Sequence, residues 1–546
     1  MTSARANPAG TNQAVVMLAF PDLAEKTGMV RRSRRYYPAK HQIRSPSLAS
    51  EPIMRLKRSF AVLLLAGTSV LVSGCMQATS PATGRTFSTN ISEAQENQIG
   101  AEEHPKILAE FGGAYSEKPA LNTYVDSVGQ FVAATAERQD VKYTFTVLNS
   151  PDINAFALPG GYVYVTRGLL GLAVNEAEMA GVLGHEIGHV NARHTAERMG
   201  QQQKAQMGVL AGVLLGTLLG GEQGGQLGGQ LGTEAAQNYL GSYSQDQEFE
   251  ADTLGVRYLK RATYDPQAMA TFLGALNADT HLEAKLAGNE SAADAYSMKQ
   301  SHPRTADRVQ RAIESAGPVQ AGSMLARNEF LTKIDGILWG EDPNDGVVDG
   351  RQFIHPGLRF TFTAPQGFKL SNQPSQVVGK GNNAIMIFDM APKDVGDLAT
   401  YVQSQWNPKA KVSDVQRINV NGMEGATGIA QGTVSNTQAT FRLVAVRFPD
   451  NHVYRFLFAA PSNSFGSADA GFGTAVNSFR QLAANEATGY KPMRIRVVEV
   501  KQGDTIDSLA SRMVVSEAKA DWFKVINRLD QGQQLQAGQL VKIIGY

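Results

Sequence analysis

Of everything in this chain of 546 residues, the run Gly184-His185-Glu186-Ile187-Gly188-His189 most constrains what it can fold into. Asn175, with Glu178 three residues on, reads as a helix N-cap with a capping box, and the pattern that follows predicts one helix to about Met199. Residues four apart on a helix lie about 40° apart around its axis, so both imidazoles face one side. Two neutral ring nitrogens at that spacing can bind one Zn²⁺, and the intervening Glu186 then lies beside the metal's water. From there it can take the water's proton and pass it to a leaving amine. The bland reading, two satisfied surface histidines, needs nothing else; a metal site needs a third ligand.

Ala192 and Thr195 stand where a metzincin would continue with a Gly and a third His. His194 falls about 180° from His185 on a continuous helix, so it is expected to point away. A gluzincin supplies a Glu from a later helix, and Asp246-Gln247-Glu248-Phe249-Glu250-Ala251-Asp252 offers candidates on a helix expected from Gln245 to Thr263. Glu248 and Asp252 share a face, whereas Glu250 lies about 200° from Glu248. Glu248 is therefore taken as the ligand, with Asp252 orienting a ligand His through its other nitrogen. Glu250 is left as the alternative ligand, and otherwise as a solvated carboxylate.

Composition narrows the class. Lys plus Arg number 51 and Asp plus Glu 50, a net charge of +1 that provides no field for nucleic acid, so no nucleic-acid partner is expected. With 42% hydrophobic residues and 54 Gly, the chain reads as folded, multidomain and Gly-rich. The single cysteine, Cys75, forbids an internal disulfide and any Cys-based zinc knuckle. It closes the segment 54–74, a basic start at Met54, an apolar stretch from Phe60 to Val72 and small residues at the end, which reads as a secretory signal. The ending Val72-Ser73-Gly74-Cys75 resembles a bacterial lipobox, which implies a lipidated Cys75. With Met76 next, it also implies a periplasmic protein anchored in the outer membrane. Residues 1–53 do not fit a signal and read as an extension ahead of the true start; residues 75–90 read as a polar tether.

Further on, Tyr143–Leu148 and Gly161–Thr166 read as strands. Met207–Leu219, followed by Gly220–Gly225, reads as a mobile hairpin over a cleft, a membrane-surface segment or a buried turn. Residues 345–485 alternate as strands with two helices, an α+β domain of unknown role similar to PsbP-like modules. Residues 490–546 read as strand, two helices and strand. They resemble a LysM domain at Gly503-Asp504-Thr505, Asn527 and Gly538-Gln539. The expected fold class is α+β multidomain: a mainly α-helical zinc peptidase domain with a small β-sheet over 91–330, the small α+β domain, then the βααβ LysM-like domain.

Gly184–His189 followed by Glu248-Phe249-Glu250-Ala251-Asp252 is similar to the gluzincin family of the CAAX prenyl proteases, HtpX and periplasmic outer-membrane quality-control proteases. Asn154–Gly161 ahead of the strand Tyr162–Thr166, and Ser301-His302-Pro303 ahead of a helix with Arg308, match as well. The resemblance covers residues 91 to about 316. It implies one Zn²⁺ per chain on His185, His189 and Glu248, Glu186 as base, and His302 as an electrophile for the oxyanion or as a resting ligand that moves aside. It also implies that Tyr162, Val163 and Tyr164 bind the substrate backbone by β-addition. Ordinary sheet pairing is the bland alternative for that strand, and an N-cap ahead of Pro303 is the one for His302.

The expected activity is thus a zinc-dependent endopeptidase on unfolded or misassembled envelope proteins. The rivals are a cell-wall-binding lipoprotein or chaperone with a latent zinc site, contacting peptidoglycan through residues 490–546, and a peptidoglycan hydrolase.

Overall fold

The computed structural model describes residues 76–111, 113–201, 243–289, 306–373, 375–392, 395–434, 437–529 and 534–546. The expected signal segment, Cys75, the Gly-rich stretch from Met207 and the Ser301-His302-Pro303 motif lie outside the described residues. The described residues form two compact units: one within 76–347, 355–358 and 483–546, the other within 348–354 and 359–482.

In the first unit a hairpin, β1 (Met76–Thr79) and β2 (Thr86–Thr89), precedes helices α1 (Glu93–Glu110) and α2 (Pro119–Ala133). The stretch expected to be a tether is therefore folded. The turn closes with Gly84 at φ 75° and Ser80 N–H donating to the Arg85 carbonyl, and Thr89 Oγ1 ties β2 to the Ala196 carbonyl. Next come β3 (Thr144–Leu148), β4 (Ala155–Leu158) and β5 (Tyr162–Thr166). They form one sheet in the order β3-β5-β4, with β3 parallel and β4 antiparallel to β5. Gly160 and Gly161, at φ 80° and 90°, make the β4–β5 turn, where a Cβ on Gly161 would lie 2.5 Å from Val141 Cγ1.

Helices α3 (Arg167–Leu172), α4 (Glu176–Ala192), α5 (Gln245–Arg261), α6 (Ala268–Leu286), α7 (Ala306–Ala316) and α8 (Arg327–Ile334) complete this part. Apart from Glu176 at its start, every residue of α4 is buried, as suits a central helix.

The second unit is built on a seven-stranded antiparallel sheet. Its strands are β6 (Lys369–Gln373), β7 (Gln376–Lys380), β8 (Ile385–Met390), β9 (Val412–Val420), β10 (Met423–Val434), β11 (Thr437–Arg447) and β12 (Val453–Pro461), in the order β9-β10-β11-β12-β8-β7-β6. Alternation along β11 serves two cores: Phe441, Leu443 and Ala445 join one, Val444 and Val446 the other. The turn Pro449-Asp450-Asn451 joins β11 to β12, with Asn451 at φ 73°. Helix α9 (Phe465–Ser478) covers one face through Phe472 and Val476.

Residues 494–545 return to the first unit as β13 (Arg494–Glu499), α10 (Ile506–Ser511), α11 (Lys519–Asn527) and β14 (Leu540–Gly545), with β13 and β14 antiparallel. Their apolar residues, Ile495, Leu509, Phe523 and Ile544 among them, belong to the same hydrophobic core as Val125, Leu172 and Leu183. The Lys542 ammonium is wholly buried and donates to the carbonyls of Gly171, Leu172 and Ala173 at 2.7, 3.0 and 2.6 Å. Arg528 donates to Glu178 in the first turn of α4 at 3.1 Å. This segment thus helps to fix where α4 begins.

Candidate metal centre

Two packed helices build the site. Asn175 caps α4 by accepting from Glu178 N–H at 2.8 Å. Ser244 and Gln247 form a capping box at the start of α5. Close approach depends on glycines: a Cβ on Gly188 would lie 3.1 Å from Leu254 Cβ, and one on Gly255 would lie 3.0 Å from His185 N. Because the helices touch backbone to backbone there, Glu248 and Asp252 fall over His185 and His189. Gly255→Ala is expected to cost about 1–3 kcal/mol through overpacking and to lower metal occupancy. Thermal denaturation with metal analysis checks this; unchanged values would mean the helices separate freely.

Donor atoms of His185, His189 and Glu248 all lie within 4.8 Å of one another, and all three residues are buried. The two Nε2 atoms are 3.0 Å apart, and the Glu248 oxygens stand 3.6 Å from His185 Nε2 and 3.5 Å from His189 Nε2. A tetrahedral ion with bonds of about 2.0–2.1 Å places its ligands about 3.4 Å apart. The spacing and the two-imidazole, one-carboxylate donor set therefore fit Zn²⁺. Glu186 is buried on the same helix, 2% exposed.

Asp252 accepts from His185 Nδ1 at 2.8 Å, which leaves Nε2 as the donor toward the metal position. Arg308, 4% exposed, donates to both Asp252 oxygens at 2.7 Å and forms an ion pair with Glu248, Nη1 to Oε2, at 2.7 Å. Burial alone would raise the Asp252 carboxyl, but the Arg308 guanidinium and His185 hold it below its ordinary value. Burial pushes the His189 imidazole well below 6.5, which favours the neutral form a ligand needs.

Three groups at this site were not expected from the sequence. Helix α4 stops at Ala192, short of Met199, because Arg193 turns left-handed at φ 60°; the chain is helical again over 194–201. That break carries His194 back beneath the site, its Nδ1 2.8 Å from His189 Nδ1. Glu250, expected to be solvated, accepts from His194 Nε2 at 3.3 Å, from Arg85 Nε at 2.9 Å and from Thr83. Burial opposes its ionisation, yet the His194 and Thr83 hydrogen bonds hold it at about 2. Tyr243 stacks on His189 with ring centroids 3.9 Å apart. Only a dihedral break, invisible to helical periodicity, brings His194 into play.

The strand expected to take the substrate backbone is the central one. Residues 162–165 of β5 pair with β3 on one side and β4 on the other, so they offer no free edge. The Tyr164 hydroxyl is engaged by His104 Nδ1 at 2.6 Å. Among the described residues β3 and β4 are the two edge strands of this sheet. Ala157 and Pro159, at the end of β4, line a small cavity with His189 and Thr195.

Residues 119–316 match the model of Peptidase family M48. The beta-barrel assembly-enhancing protease of Escherichia coli (strain K12) is 34% identical over 197 residues, covering 36% of this chain and 40% of that protein. The mitochondrial metalloendopeptidase OMA1 of Schizosaccharomyces pombe is 28% identical over 235 residues, covering 43% of this chain and 65% of that protein. The match thus spans about two-fifths of the length of the beta-barrel assembly-enhancing protease. Among solved structures, cyanobacterial PsbP from Synechocystis sp. PCC 6803 is 12% identical, covering 24% of this chain and 91% of that one at a TM-score of 0.20. Residues 119–316 of this chain are thus similar to Peptidase family M48, and the His185, His189 and Glu248 donor set lies within them.

Proposed function

We propose that the chain is a zinc-dependent endopeptidase that cleaves unfolded or misassembled proteins of a bacterial cell envelope. The observation that carries this reading is the buried His185, His189 and Glu248 donor set with Glu186 on the same helix. Zinc held by these three residues would supply a Lewis acid for the scissile carbonyl and would lower the pKa of water. Glu186 receives the proton and delivers it to the leaving amine. An extended substrate would add to β4, an edge strand of its sheet among the described residues, beside His189, in place of β5. His302 would donate to the oxyanion; Arg308, six residues on, touches Glu248 and Asp252, which supports that role. Envelope substrates are suggested by the name of the Escherichia coli relative.

Lipidation of Cys75 would hold the enzyme at the outer membrane; among the described residues no helix is long and apolar enough to cross one. Peptidoglycan contact would fall to residues 490–546, where Lys501, Gln502 and Gly503 are exposed. Pull-down of the full chain on purified sacculi tests that, and equal recovery without sacculi would remove it.

One zinc per chain is expected, with casein cleavage lost on chelation and restored by zinc. Absence of zinc from protein purified without chelator would remove the reading. An acid limb is expected as well. His189 stays neutral in the fold while an unfolded histidine protonates near 6.5, so stability is fully present above about 6.5 and is lost as pH falls below it. Zinc affinity falls in the same window, because protons compete for the ligand nitrogen. A pH profile of cleavage and zinc content, flat from 7.5 to 5, would contradict this.

A further inference from the structure

We propose that His194 and Glu250 form a one-directional hydrogen-bond relay that fixes His189 in the tautomer able to bind metal, with the hairpin β1–β2 holding the relay in place. The inference rests on reading His189 as a metal ligand.

The direction follows from what each group can do. An ionised Glu250 only accepts, so the ring proton of neutral His194 sits on Nε2, 3.3 Å from Glu250 Oε2. That leaves His194 Nδ1 as an acceptor. The only hydrogen bond it can then make to His189 Nδ1, at 2.8 Å, has the His189 proton on Nδ1. His189 Nε2 is left with its lone pair directed at His185 Nε2 and Glu248. The opposite tautomer would put a proton where the metal must go.

Glu250 is held in turn. Arg85 donates Nε to it at 2.9 Å while its two terminal nitrogens grip Glu197 at 2.9 and 2.8 Å, and Thr83 donates to its other oxygen. Gln247 donates to Glu197 at 2.9 Å. Arg85 and Thr83 come from the hairpin, which Phe87 and Thr89 dock onto Ala196. His185 has its own arrangement through Asp252 and Arg308, so each ligand imidazole is oriented by a separate carboxylate. His194 and Glu250 are positioning residues: they act on the metal through His189.

The test is a pair of substitutions in the full chain that separate polarity from volume. Glutamine at 194 can accept from His189 and donate to Glu250; phenylalanine keeps the ring and does neither. His194→Phe is expected to weaken zinc binding 10–100-fold in chelator competition, with the cobalt-substituted absorption spectrum altered, whereas His194→Gln stays within a few-fold of wild type. Glu250→Gln and Arg85→Met, which leave the buried imidazole in place, are expected to lose affinity in the same direction, and they decide the matter should His194→Phe not fold. A packing role gives the reverse order, Phe tolerated and Gln not, and overturns the relay. Wild-type zinc affinity in His194→Phe, or in both Glu250→Gln and Arg85→Met, overturns it too. If the wild-type chain itself binds no zinc, the ligand reading fails first, and the two failures are distinct.

Discussion

Glu186→Gln is expected to lower cleavage of casein by about 10²–10⁴-fold while zinc content stays at the wild-type level. The amide is isosteric with the carboxylate, so packing around a residue only 2% exposed is preserved. It cannot accept a proton at neutral pH, and the proton-transfer role is what the substitution removes. Zinc is unaffected because the donors are His185, His189 and Glu248, and Glu186 is not one of them. The paired measurement separates three states of the protein. Equal zinc with activity lost only in the variant establishes Glu186 as the base. Equal zinc with no activity in either protein means a latent site, as the rival reading of a cell-wall-binding lipoprotein requires. Equal activity in both sinks the role of Glu186.

The parts of this site that the sequence made legible are those set by the geometry of a single helix. Four-residue spacing put His185 and His189 on one face, and the same spacing chose Glu248 and Asp252 over Glu250 as the groups facing them. What periodicity could not supply was anything that depends on a break or on a distant partner. His194 was assigned to the far side because a continuous helix would take it there, and the left-handed Arg193 reverses that. Glu250 does point away from the metal position, as its phase requires. It is bonded and not solvated because residues more than 160 positions earlier fold back to it.

Strand β5 shows a similar limit: its alternation identified a strand, but whether its edges are free depends on how β3 and β4 pair. In the stretch 75–90 the short polar residues that suggested a tether are those that form a tight turn. Lys542 lies within β14, and it is the packing of residues 494–545 that buries it against three carbonyls.

Arg308→Leu is expected to be the most destabilising single change at the site, costing about 3–5 kcal/mol in the metal-free protein. The guanidinium is buried between Asp252 and Glu248, donating to the first and ion-paired with the second. Burial alone would lower its pKa, but the two carboxylates raise it, so the arginine remains a cation. Leucine fills part of the volume but leaves two buried carboxylates without their shared cation. Zinc should reduce the difference from wild type, because a divalent ion held by Glu248 restores positive charge to one of them, and binding to the folded state alone stabilises it by mass action. The double variant Arg308→Leu with Asp252→Asn should recover part of the loss, since removing both members of a buried pair costs less than removing one. Thermal and denaturant unfolding of the three proteins, with and without zinc, measures each term. Were the double variant no more stable than Arg308→Leu, the arginine would be acting through its packing, and charge compensation would not explain its burial at the metal centre.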